Sequence, residues 1–159
     1  MTWQNFEPSQ TGKTCIIDGH SAHDVHFEMG TISTGRQRVF YRYYVKVDLH
    51  DGSTVFGENP YNLRAAVLDL DGELKRKDMM LLAAATDSDW LESGLSQNTG
   101  WGYFSNATEA SHIMSLPPLR HRDSENDEFV DRLIKEAVDG MFSQMGDVSM
   151  RQFGGSLQR

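Results

Sequence analysis

The feature that most constrains this chain is the run from residue 39 to residue 49. Val39, Tyr41, Tyr43, Val45, Val47 and Leu49 fall on one face of an extended segment, and Arg42, Lys46 and Asp48 fall on the other. A period of two with one apolar face defines a half-buried strand. His50-Asp51-Gly52-Ser53 follows, and Asp-Gly tolerates positive φ at both central positions of a type I′ turn. The spacing therefore predicts a two-residue hairpin loop, with Leu49 opposite Thr54 and Val47 opposite Phe56, so that the apolar residues share a face.

Beyond the hairpin the pattern becomes helical. Asn59 can cap a helix whose first position suits Pro60, and Leu63, Val67, Leu70 and Leu74 recur at helical spacing. Ala65 and Ala66 allow close approach to a sheet, Gly72 weakens or ends the helix, and Lys75, Arg76 and Lys77 suit its negative end. Residues 79–85 then form an unbroken apolar run, which predicts a strand covered on both faces. Strand, helix and strand in this order predict a right-handed crossover.

Pro117-Pro118 marks a boundary, and carboxylates from Asp123 to Glu128 open a second helix reaching about Met145. Val130, Leu133, Ile134, Ala137, Val138, Met141 and Met145 form its apolar stripe. The expected fold class is α+β: a mixed or antiparallel sheet of four to six strands with two main helices packed on one face. Residues 1–146 form the single α+β domain of this reading, and residues 147–159 a flexible C-terminal tail.

The 159 residues carry a formal net charge of −8, which disfavours nucleic acid or an anionic membrane as the main partner and favours a basic protein. Cys15 is the one cysteine, so an internal disulfide is impossible and a cytoplasmic location is the expectation. Residues 1–13 lack the apolar core of a signal peptide, and no stretch approaches the length of a membrane span.

Four groups of residues invite chemistry. Gly12-Lys13-Thr14 ends like a phosphate-binding loop, yet Glu7 occupies the position of the first glycine and the apolar Ile16-Ile17 comes after the motif. Residues 18–28 hold His20, His23 and His26 among Asp18, Asp24 and Glu28, a ligand set suited to zinc or another divalent metal. Those histidines share a face on a helix, whereas Val25, Phe27 and Met29 alternate as in a strand. Ser93 and Ser96 with His112 could supply a nucleophile and a base.

The fourth group is Val67-Leu68-Asp69-Leu70-Asp71-Gly72-Glu73-Leu74, which resembles the first motif of the haloacid dehalogenase-type phosphotransferases, an apolar strand ending in Asp-x-Asp-Gly-Thr. The resemblance implies Asp69 as a nucleophile, Asp71 as a general acid/base and magnesium as the charge shield. Glu73 stands in place of the threonine, and the surrounding periodicity is helical.

From Thr86 onward the chain turns to Gly, Ser and Asn interspersed with Trp90, Trp101, Tyr103 and Phe104, beside Asp87, Asp89 and Glu92. Rigid aromatics among small polar residues make recognition surfaces, and the carboxylates would steer the loop onto a basic site. The expected function is thus a small, acidic, non-catalytic protein-binding module, an inhibitor or immunity-type protein that occludes a basic partner. Its contact residues would be Asp87, Asp89, Trp90, Glu92, Trp101 and Tyr103, with no cofactor. The competing expectation is a metal-dependent hydrolase built on His20, His23 and His26. Self-association through exposed aromatics is the third.

Overall fold

The first third of the chain, where Pro8, Gly12 and the histidines interrupt any simple alternation, forms the two longest elements. The computed structural model describes residues 3–19, 21–105 and 107–117, together with Arg132 and Lys135. Strands β1 (Gln4–Asp18), β2 (Ser21–Thr34), β3 (Val39–Asp48) and β4 (Thr54–Asn59) follow one another. Helix α1 (Leu63–Lys75), β5 (Met79–Leu82) and a 3-10 turn (Ala84–Thr86) come next, then β6 (Trp90–Leu91), β7 (Trp101–Phe104) and β8 (Ser111–His112). The first five strands make one antiparallel sheet in the order β4-β3-β2-β1-β5, curled as a half-barrel, and the last three make a small second sheet.

The expected α+β fold with two main helices is corrected by this arrangement. The described residues are mostly β, with one principal helix. Sequence periodicity does not mark out β1 because it changes register at Pro8/Gln10, which breaks the alternation that marks a strand in a sequence. The segment from Asp123 to about Met145, expected as the second helix, and the tail 147–159 lie outside the described residues, apart from Arg132 and Lys135.

The hairpin between β3 and β4 also differs from its expected register. Val47 pairs with Val55 and Asp48 with Thr54, so Phe56 stands opposite Lys46. The connection is a four-residue turn followed by a bulge: the Gly52 N–H donates to Leu49 O (3.0 Å), the Leu49 N–H donates to Ser53 O (2.8 Å), and Gly52 has φ +88°. Asp51 Oδ1 accepts the Ser53 N–H at 2.8 Å, which fixes the turn. One extra loop residue moves every β4 side chain to the other face, so Val55 is buried and Phe56 exposed.

Helix α1 begins three residues later than expected. Asn62 is its cap, accepting the Ala65 N–H at 2.7 Å, while Asn59 accepts the Tyr61 and Asn62 N–H groups in the preceding turn. The buried stripe Leu63, Ala66, Val67, Leu70 and Leu74 lies on the concave face, packed with Val25, Phe27, Met29, Val45, Val47, Val55 and Leu81. A Cβ on Gly57 would lie 2.2 Å from Ala66 O and 2.4 Å from Leu70 N, so glycine is what lets the helix backbone rest on β4.

The helix links β4 to β5, which run in the same direction but occupy opposite edges of the sheet. Two of its three carboxylates hold those edges. Asp69 Oδ2 accepts the Glu58 N–H of β4 at 3.0 Å, and the buried Asp71 accepts the Leu81 N–H of β5 at 2.9 Å while Lys75 Nζ sits 3.1 Å away. Residues 79–85, expected as one strand, divide into β5 and the 3-10 turn, with Ala83, Ala84 and Ala85 fully buried. The other face of the sheet carries two ion pairs, Lys13 3.5 Å from Asp24 and Lys46 3.9 Å from Glu28, beside the buried Cys15, Ile32 and Tyr44.

Candidate functional site

The small sheet sorts the aromatic loop into an inner and an outer side by strand alternation. Trp90 pairs with Phe104 and Leu91 with Tyr103; the first pair is buried, and Leu91 and Tyr103 face outward. Trp90 donates Nε1–H to Ser111 O at 3.2 Å. The Arg64 guanidinium lies 5.5 Å from its ring centre and donates from Nε to Ala85 O (3.3 Å) and from Nη2 to Asp87 O (3.0 Å).

The loop between β6 and β7 is tied down along its length. Ser93 and Ser96 share a hydroxyl contact of 2.8 Å, and Thr99 Oγ1–H donates to Ser96 O at 2.6 Å. Asn98 Oδ1 accepts the Leu63 N–H at 2.9 Å, satisfying an orphan donor at the start of α1. Gln10, reaching over from β1, donates to Thr99 O at 2.8 Å and meets His112 Nε2 at 2.6 Å. His112 Nδ1 accepts the Met114 N–H at 3.1 Å, so its proton sits on Nε2 and points to Gln10. Burial holds the His112 pKa down at about 4. The outcome is a rigid platform.

On that platform Leu91 is 58 % exposed, Leu95 100 % and Tyr103 43 %. Next to Leu91 opens a pocket of ≈ 320 Å³ lined by Asn62, Arg64, Leu91, Glu92, Gly94 and Gln97 among others. Glu92 Oε2 accepts the Asn98 N–H at 3.0 Å. Its second oxygen, Oε1, is buried and accepts nothing among the described residues. The pocket wall therefore holds one anionic group, Glu92, and one cationic group, Arg64, whose guanidinium is committed to Ala85 O and Asp87 O.

The six residues expected to contact a partner divide accordingly. Tyr103 is exposed, and Glu92 lines the pocket. Trp101 is half-buried, its ring centre 5.0 Å from that of His112 in an edge-to-face arrangement. Asp89 is half-buried and accepts the Ser105 N–H at 3.1 Å and the Ser105 hydroxyl. Asp87 is buried and accepts the Asp89 N–H at 2.9 Å. Trp90 belongs to the core. Leu91 and Leu95 escape a reading that looks for aromatics, although the Trp90-Leu91 alternation carries the signal for Leu91.

The other chemical candidates are placed in structural roles or apart from one another. His23 and His26 are on one strand with odd separation, hence on opposite faces: His23 is on the core side, 5.4 Å from the His50 ring, and His26 is exposed opposite Asp48. His20 lies outside the described residues, and no group of three His, Cys, Asp or Glu among the described residues is arranged to hold a metal. Gly12, Lys13 and Thr14 lie in the middle of β1, where Thr14 Oγ1–H donates to Met114 O at 2.8 Å. Asp69 and Asp71 are on a helix and bonded to the two sheet edges, which removes the strand-end geometry of the phosphotransferase motif. His112 bonds Gln10 and Met114 while Ser93 and Ser96 bond each other. Cys15 is buried, with its thiol pKa pushed up to about 12 by burial and then by Asp24, so it is poorly reactive.

No protein-family model matches the chain, and no curated protein matches it. Among the described residues no helix is long and apolar enough to cross a membrane.

Proposed function

We propose that the chain is a non-catalytic protein-binding module that covers a basic site on its partner with the surface of Leu91, Leu95, Tyr103 and the Glu92 pocket. The observation that carries this reading is an open pocket lined by Glu92 and rimmed by exposed leucine, where Glu92 Oε1 has no hydrogen-bond partner among the described residues. A lysine or arginine of the partner entering the pocket would complete the carboxylate's hydrogen bonding, while Leu91 and Tyr103 exclude water around it. The net charge of −8 adds attraction at long range. An inhibitor or immunity-type protein acts in this way, by occluding a basic surface.

Immobilised wild type and a Glu92→Gln/Leu91→Ala variant, exposed to the same cell extract, test the reading. The expected result is a basic protein retained by wild type, released as salt rises, and lost from the variant. Retention of the same partner by both proteins, or capture of an acidic partner at this surface, would contradict it.

A further inference from the structure

A second surface lies at the far end of the main sheet. Residues 39–42 pair with β2 alone, Val39 with Thr34, Phe40 with Ser33 and Arg42 with Ile32, whereas β4 meets β3 only between Tyr43 and Asp48. Among the described residues the other side of residues 39–42 has no strand beside it. The segment exposes Val39 by 58 %, Phe40 by 49 % and Tyr41 by 39 %. Open backbone donors and acceptors next to exposed β-branched and aromatic side chains form a template for one more strand.

The charges around this edge state what kind of strand. Arg36 lies 5.8 Å from the ring centre of Trp3, and Arg42 lies 4.8 Å from that of Tyr41. Neither forms an ion pair among the described residues, and Arg42 Nε is buried without an acceptor. Arg38 is the paired one, 2.9 Å from Glu7, whose pKa it lowers through that hydrogen bond. Two further carboxylates lie near this end of the sheet: Glu28, which accepts the Tyr44 hydroxyl at 2.6 Å and sits 3.9 Å from Lys46, and Glu58, which stands opposite Tyr44 on β4, against the four cations Arg36, Arg38, Arg42 and Lys46. In a chain of net charge −8 this end is locally cationic. Pairing with a second copy would bring two sets of Arg36, Arg38 and Arg42 to one seam, a like-charge contact that disfavours self-addition.

We infer that residues 39–42 are a docking edge for an extended acidic segment of a partner protein, which adds to the sheet as a strand while its carboxylates meet Arg36 and Arg42. The ligand class is opposite in sign to that of the Glu92 surface, and the two sites are independent.

The test uses the full chain and a fluorescent seven-residue peptide alternating glutamate with valine, read by anisotropy. Companions are the lysine-valine peptide, the glutamate-valine peptide with N-methylated backbone, and a single-stranded oligonucleotide. Binding of the glutamate peptide, weakened about tenfold or more by lysine, by N-methylation and by Arg36→Glu or Arg42→Glu, is expected. The exposed Arg36 supplies a variant whose folding does not depend on the half-buried Arg42. Absence of glutamate-peptide binding, equal binding of the N-methylated or lysine peptide, preference for the oligonucleotide, or a concentration-dependent dimer abolished by Arg42→Glu would each overturn the inference.

Discussion

Gly57 and Gly72 are the same residue type, fifteen residues apart in number yet opposite in consequence, because only one of them faces another backbone. A methyl on Gly57 would enter the backbone of α1, and the helix must move off β4 to admit it. Gly57→Ala should cost about 3 kcal/mol or more in denaturant unfolding. Gly72, inside the helix with nothing within 4 Å of its absent Cβ, should give about 0.5–1 kcal/mol of added stability when replaced by Ala. His112 makes a pH prediction of definite sign. The unfolded imidazole takes up its proton near pH 6.5, and the folded one resists until about 4. Between those values the unfolded chain binds more protons, so stability falls as pH is lowered and is fully present above the unfolded pKa. The loss should approach about 3 kcal/mol at the lower end. A His112→Gln variant followed by pH-dependent urea unfolding should lack this component. At this scale the sequence pointed to Glu92 and Tyr103, which the fold leaves in a pocket wall and on the outer side, but also to Trp90, which it buries. Side-chain type does not reveal which way a two-residue strand turns its faces.

Elements show the same division between what is local and what is not. The β3 strand and the body of α1 were readable because their apolar residues repeat at clean periods of two and of three to four. The loop between β3 and β4 was not, since Asp51-Gly52 suits a two-residue turn and equally the longer turn with a bulge that the chain adopts. The choice between them exchanges Val55 and Phe56 across the sheet, which makes the register measurable. Val55→Ala should destabilise by about 2 kcal/mol, whereas Phe56→Ala should cost less than about 1 kcal/mol. The reverse order would restore the two-residue loop. The start of α1 was misplaced for a related reason. Asn59 and Asn62 are both capable caps, and the tertiary contact from Asn98 to the Leu63 N–H completes the start at Asn62.

For the whole molecule, the missing information was the partnership of strands distant in sequence. β1 looks irregular by itself, and its place is set by β2 on one side and β5 on the other. The joining of opposite sheet edges by Asp69 and Asp71 converts a phosphotransferase-like motif into a fastening of the half-barrel. The same topology separates two exposed surfaces, one beside the small sheet around the Glu92 pocket and one at the open edge of β3 with Arg36 and Arg42 beside it. The central claim is that the Glu92 surface takes a cationic group. It is tested most directly by mapping amide chemical shifts of the isotope-labelled full chain as the lysine-valine and glutamate-valine peptides are titrated in turn. The account predicts that the lysine peptide moves the amides of Leu91, Glu92, Gln97 and Tyr103 and leaves residues 39–42 in place, with Glu92→Gln removing the effect. A lysine peptide that leaves the Glu92 surface unmoved, or that moves it equally in the Glu92→Gln variant, would contradict it.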